Sequence, residues 1–438
     1  MSTATSGQPG TDANPAAGLR SRFKEAAFWG VMGAIISRAL NMAAWVICAR
    51  LLGRSDFGQL TMVQSTAGVF GVLAGMGLGL TATRYIAEFR TSNPARAGRI
   101  LGLSQLVAIV AGLSISAVMV ALAPFLASTT LAEPALRLPL IVGSGLVLFG
   151  ALNGFQTGAL AGVEAFRTIA KVNFWAGLLS FPCIFLGAWL GRVPGAVAGL
   201  VLALAVNWLL NQAALRRECQ RAGVPLTFSG CFAEWPILLH FSLPALLASA
   251  IVSPVMWLCN TWLVRQPGGF GELGLYGAAD RWRLAILFVP ASVASPVLSM
   301  LANLRGAGSD ASYRKVFRTN LALTAGLVTA LSITVALCAP LVMRLFGPAY
   351  RDGWKVLVVL SFSAVFEALN TFLGQPLVTH SMWRRFGFDA VLAFTLLTTA
   401  WYCIPRWRGL GLAVAYAAAF LTVSVLLAGY QRRRLLAP

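Results

Sequence analysis

The sequence predicts an all-α, polytopic membrane protein of about 12 transmembrane helices in two parallel six-helix repeats, and three observations predict it. Strongly apolar stretches fill the chain from near residue 26 to near residue 430. The charges gather between those stretches. Two short motifs recur in the same order about half a chain apart. A span needs about 20 apolar residues to cross the hydrocarbon, and the composition supplies them. Hydrophobic residues make up 58% of the chain and charged residues 11%, with a mean hydropathy of +0.76. A soluble domain carries about 25% charged residues.

Residues 1–25 are mostly polar and small, lack a cleavage site, and are expected to form a disordered cytoplasmic N-terminus. Hydropathy then predicts an N-lobe over 26–215, with helices at 26–49, 57–83, 99–126, 137–161, 168–190 and 193–215. The longest polar stretch between spans, 216–235, is read as a cytoplasmic linker. A C-lobe over 236–430 follows, with helices at 236–264, 273–303, 319–343, 354–379, 386–404 and 409–430, and a basic tail at 431–438. Phe57-Gly58-Gln59-Leu60 recurs as Phe270-Gly271-Glu272-Leu273 at an offset of 213, and Ala151-Leu152-Asn153-Gly154-Phe155 as Ala368-Leu369-Asn370-Thr371-Phe372 at an offset of 217. Six is an even number of spans, so both copies enter the membrane in the same sense. Parallel repeats of this kind put the substrate site between the two bundles.

The net charge of +20 does not indicate nucleic acid, because the cations sit in short loops and form no basic face. With the N-terminus inside, the inner segments hold 21 Lys and Arg and the outer loops 10. That bias predicts both termini in the cytoplasm. The remaining three cations, Arg38, Arg281 and Arg283, lie within spans. Seven cysteines without CxxC spacing and two histidines, His240 and His380, predict neither a disulfide framework nor a metal site. No cofactor is expected.

A family resemblance rests on Ala49-Arg50-Leu51-Leu52-Gly53, Asp56-Phe57-Gly58, Gly77-Leu78-Gly79 and Arg84-Tyr85-Ile86-Ala87-Glu88. This run resembles the second-helix region of the oligosaccharide (O-antigen-type) flippases, within the multidrug/oligosaccharidyl-lipid/polysaccharide exporter superfamily. Gly274-Leu275-Tyr276-Gly277-Ala278-Ala279 through Arg281, with Val289-Pro290, resembles the family's eighth helix, and Phe346-Gly347-Pro348-Ala349-Tyr350 its loop before helix ten. The resemblance implies V-shaped lobes and alternating access for an undecaprenyl-pyrophosphate-linked glycan in the inner membrane. It implies membrane lipids and an anionic lipid-linked oligosaccharide as partners, and other polysaccharide-assembly proteins beside them. The multidrug branch typically carries coupling acids in its first or seventh helix. Here 26–49 and 236–264 have none, which weighs against an ion-coupled drug exporter. A membrane glycan polymerase is a further alternative, but the outer loops are short and carry no paired carboxylates. The chain is read as a transporter and not as an enzyme.

Each candidate residue has a bland reading beside the functional one. Arg38 lies about 18 Å into its helix at 1.5 Å per residue, where an arginine costs roughly 2.5–3.5 kcal/mol on insertion scales. Asn41 and Trp45 follow at i+3 and i+7, so one face presents cation, amide and aromatic together. A pyrophosphate suits a guanidinium fork. The alternative is a structural arginine on helix carbonyls. Arg281 is expected as the second-lobe cation, while Arg283 has Asp280 three residues earlier to neutralise it. Trp257 and Asn260 mirror Trp45 and Asn41 in chemistry and are candidate neighbours of the cargo. Glu367 is the one acid near the middle of a span, either an ion-coupling group or the counter-ion of an arginine. Asn153 and Asn370 are expected to bond between helices.

Overall fold

The computed structural model describes residues 15–238, 246, 250–306, 310–380 and 382–436, with the backbone alone at 15–37, 289, 291–306, 310–314, 375–380, 382–383 and 434–436. His240 and Pro244 lie outside the described residues, as do the side chains of Arg305, Arg314 and Pro296. Every regular element among the described residues is helical.

The first helical run, Pro15–Gly75, is two helices joined at Gly53, whose φ of 77° and ψ of 175° are not helical. The rings of Trp45 and Phe57 are 6.2 Å apart. Twelve residues of straight helix would hold them about 18 Å apart, so the chain turns back here. We call the two legs α1 (15–52) and α2 (54–75). α1 begins at Pro15, inside the segment expected to be disordered. The second span, expected as one helix over 57–83, breaks at Met76 and Gly77, with φ of 44° and 65°. Hydropathy could not register that break, because it is a backbone event between apolar residues. α3 (Leu78–Phe89) resumes the span.

α4 (Pro94–Phe125) starts at an Asn93 cap, which accepts from the Arg96 amide at 3.1 Å. α5 (Arg137–Gly162) follows. The run Phe166–Arg221 turns back at Gly191 and Arg192, giving α6 (166–190) and α7 (193–221). Thr168 donates to Glu218 at 2.7 Å across that hairpin. α7 continues through the first residues of the expected linker to Arg221. Glu234, at the linker's other end, is buried and ion-paired to Arg96 at 3.0 Å and Arg99 at 3.2 Å. The linker is thus pinned to the start of α4.

The second half comprises α8 (Val252–Val264), α9 (Gly269–Gly306), α10 (Asp310–Leu337), α11 (Ala339–Leu345) and α12 (Trp354–His380). A run over Met382–Leu436 then turns back at Arg408 into α13 (382–407) and α14 (409–436). Phe388 and Tyr430 pack across that hairpin with ring centroids 5.9 Å apart. The repeat seen in the motifs recurs in the bonding. Ser116 donates to the Ser144 carbonyl at 2.9 Å, and Ser332 donates to the Ser361 carbonyl at 2.7 Å.

The main core forms where the halves meet, around Phe57, Leu60, Tyr276, Phe346 and Tyr350. At its centre α2 and α9 cross backbone to backbone. A Cβ on Gly274 would stand 2.1 Å from the Arg54 carbonyl oxygen, and one on Gly58 would stand 1.8 Å from that of Phe270. Only glycine permits so close an approach. Gly274→Ala is therefore expected to lower the melting temperature of the purified protein. Gly68→Ala, where nothing lies within 4 Å, is expected to hold or raise it, since alanine favours helix over glycine by about 1 kcal/mol.

Candidate functional site

The face expected on the first helix exists as a face. Arg38, Asn41 and Trp45 of α1 line one cavity of about 750 Å³, whose other walls come from α6, α7 and Phe288 of α9. Arg38 is exposed, and its guanidinium stands 4.6 Å from the Phe288 ring centroid. Among the described residues, no carboxylate pairs with it and no Asp or Glu lines the cavity. Trp45 donates its indole N–H to the Asn41 side-chain oxygen at 3.1 Å, which fixes both side chains on that face.

Arg281 reaches the same cluster from the other half. Its guanidinium lies 3.6 Å from the Trp45 ring centroid and donates to the Gln64 side-chain oxygen. It stands behind the tryptophan, outside the cavity wall. The cation–π contact is thus sandwiched between the halves, in a setting with little water to weaken it. Asn41, Trp45 and Arg281 form one connected group, and Arg38 shares the cavity lining with the first two.

Arg283 belongs to a different group. It is buried, donates to Asp280 at 2.6 Å and to the Tyr416 hydroxyl at 2.8 Å, and pairs with Glu367. Tyr416 also donates to Glu367 at 3.1 Å. The mid-span acid therefore sits against an arginine on the neighbouring helix. Trp257 and Asn260 are likewise away from the cavity wall. Trp257 donates to Thr66 at 3.0 Å and Asn260 to Ser65 at 2.8 Å, so both tie α8 to α2. Asn153 bonds between helices, donating to the Leu204 carbonyl at 3.0 Å. Asn370 accepts from Arg385 at 3.1 Å.

Sequence reasoning missed the far wall, where Asn173, Ser180 and Asn207 put polar groups into the cavity. Asn173, Ser180 and Asn207 lie on two legs of one hairpin, and no local spacing relates them to α1.

The cross-half hydrogen bonds among the described residues are concentrated toward one end. Arg54 pairs with Glu272 at 2.6 Å, Arg265 donates to the Thr130 carbonyl at 2.9 Å, Arg50 to the Leu345 carbonyl at 2.6 Å, and Tyr350 to the Ala49 carbonyl at 3.3 Å. Deeper along α2 come the ties at Ser65, Thr66 and Gln64. Beyond these, at the level of Arg38, its guanidinium meets the Phe288 ring of the other half.

Comparison with known proteins fits this architecture. The family model for polysaccharide biosynthesis proteins matches residues 23–302. The chain belongs to that family. Among curated relatives, the polysaccharide biosynthesis protein described here is 27% identical over 414 residues to the EPS I polysaccharide export inner membrane protein EpsE of Ralstonia nicotianae, covering 91% of each chain. It is 26% identical over 432 residues to the lipid III flippase of Escherichia coli, covering 92% of this chain and 97% of the relative. Solved structures with the same fold include an inward-facing multidrug resistance MATE family transporter of the MOP superfamily, at a TM-score of 0.73 and 15% identity over 93% of this chain and 98% of that one. The lipid II flippase MurJ, in an inward closed conformation, superposes at a TM-score of 0.74 and 12% identity over 92% of this chain and 87% of its own. The family member described here is thus an all-α, multi-pass membrane protein of the transporter fold.

Proposed function

We propose that this protein is a flippase that moves an undecaprenyl-pyrophosphate-linked oligosaccharide from the inner to the outer leaflet of the inner membrane. The observation that carries the reading is Arg38, a cation exposed to a 750 Å³ cavity lined by no acid among the described residues. An intramembrane charge is costly, and a guanidinium facing an open cavity has its donors free for a pyrophosphate. The relatives' names, a polysaccharide exporter and a lipid III flippase, support the same cargo class. Glu367, paired with Arg283, gives no support to an ion-coupled drug exporter.

The test is reconstitution in proteoliposomes with a lipid-linked repeat unit bearing a fluorescent sugar. Protein-dependent movement between leaflets is expected, and a deletion strain should accumulate completed lipid-linked units on the inner leaflet. Single units left on the outer leaflet would indicate a polymerase instead.

Both termini are assigned to the cytoplasm from the 21-to-10 cation bias. The closed end of the molecule, at Arg54–Glu272 and Arg265, is then the outer end. A C-terminal fusion to a reporter active only in the cytoplasm should be active, and one to a periplasmic reporter inactive.

A further inference from the structure

The amides of the cavity are held in one orientation by groups behind them, and that orientation carries an inference about the cargo that rests on the flippase reading. Backbone carbonyls only accept. Asn153 on α5 places its side-chain nitrogen against the carbonyls of Phe149 at 2.8 Å and Leu204 at 3.0 Å. Its oxygen is therefore the atom that faces Asn211, and Asn211 must meet it with nitrogen, at 3.0 Å. The same Asn211 nitrogen lies 3.1 Å from Asn207, so Asn207 presents oxygen to the network. Its nitrogen is left for the cavity that Asn207 lines. Both Asn153 and Asn211 are buried, so no water competes for these bonds.

On the α1 wall an indole fixes the amide in the same way. The indole N–H of Trp45 can only donate, so the Asn41 oxygen is spent on it at 3.1 Å, and the Asn41 nitrogen is left for the cavity. Ser180 spends its hydroxyl hydrogen on the Gly177 carbonyl at 2.8 Å, which leaves its oxygen as an acceptor.

We propose that Asn41 and Asn207 form a donor pair that reads an sp² oxygen on the sugar next to the pyrophosphate, the carbonyl of an N-acyl group or the carboxylate of a uronic acid. Such an oxygen offers two lone pairs and no hydrogen, and so suits two amide donors better than a hydroxyl that must also place its own proton. A site built to hydrogen-bond one group discriminates against an analogue without it, because its polar groups are left unpaired. Asn153 and Asn211 are positioning residues that act through Asn207.

The test uses the full-length protein in nanodiscs and measures binding of four probes. These are undecaprenyl pyrophosphate alone and the same carrier bearing an N-acetylhexosamine, a hexuronic acid or a plain hexose. Wild type is expected to bind the N-acetyl or the uronic form about tenfold more tightly than the hexose form, the energy of about one hydrogen bond. Whichever of the two is preferred identifies the source of the oxygen. Asn207→Leu should bring that ratio close to one. Asn207→Asp keeps the shape and still accepts from Asn211 but turns an acceptor to the cavity, and should invert the preference toward the hexose. Asn153→Leu should lower the ratio although the residue touches no ligand. Equal binding of all three glycosylated carriers by wild type, or a ratio that survives both Asn207 variants, overturns the donor-pair proposal while leaving the flippase reading in place. Failure of all four carriers to bind overturns both.

Discussion

Arg38→Ala is expected to reduce glycan export by about a hundredfold or more while the protein inserts and accumulates normally. Two charge-assisted hydrogen bonds to a phosphate, each worth about 1.5–3 kcal/mol, are lost together, and each 1.4 kcal/mol is a factor of about ten. The folded protein loses little in exchange. Arg38 is exposed, and its contact with the Phe288 ring at 4.6 Å is worth about 0.5–1 kcal/mol. Insertion becomes easier by roughly 2.5–3.5 kcal/mol once the charge is gone. Arg38→Lys should fall between the two, since an ammonium keeps the charge but not the fork. Export is read as surface polysaccharide in a complemented deletion strain, and abundance by immunoblot of membranes. Normal export by the alanine variant would return Arg38 to a structural role.

The second large effect is expected at Arg283, and it is on stability. The arginine is buried among Asp280, Glu367 and Tyr416. Removing one partner from a buried pair leaves an uncompensated charge and costs about 3–5 kcal/mol. Arg283→Leu is the more damaging single change, because it strands two carboxylates at once. Glu367→Gln leaves Asp280 on the arginine and should cost less. Arg283→Leu combined with Glu367→Leu should recover part of the loss, and the cycle measures the coupling. Thermal unfolding in detergent reads all of these. Transport per folded molecule is expected to survive Glu367→Gln. Its loss at an unchanged melting temperature would instead assign Glu367 to ion coupling.

The α1 face was legible from the sequence because it is local: i, i+3 and i+7 share a side of any helix, whatever surrounds it. The neutralisation of Arg283 by Asp280 was legible for the same reason. Glu367 lies 84 residues from Arg283, and only packing could choose between its two readings. Trp257 and Asn260 pair an aromatic with an amide on one helix face, as Trp45 and Asn41 do, yet that face meets α2 and not the cavity. Their chemistry is the same as that of Asn41 and Trp45; the neighbour differs. The orientation of Asn207 was beyond any sequence reading, since it is settled by Asn153 on another helix. Hydropathy located the spans and left a gap at 50–56 that holds the Gly53 turn, but it could not place the break at Met76, where only dihedral angles change and the residues stay apolar.

The contact of Gly58 with α9 has a mechanical meaning. α2 and α9 come backbone to backbone at Gly58 and Gly274, and two rods turn about their closest approach like the blades of shears. Gly58 lies about 8 Å along α2 from the Gly53 turn, and Arg38 about 22 Å back along α1, at 1.5 Å per residue. A subunit-scale rotation of about 15° about the crossing would then shift the rim at Gly53 by about 2 Å and the level of Arg38 by about 4 Å. Bonds beside the pivot, such as Arg54 to Glu272, need only swivel, whereas the Arg38–Phe288 contact must part. On such a rotation the opening at Arg38 would be set at two glycines outside the cavity lining, and a single methyl group there would blunt the stroke.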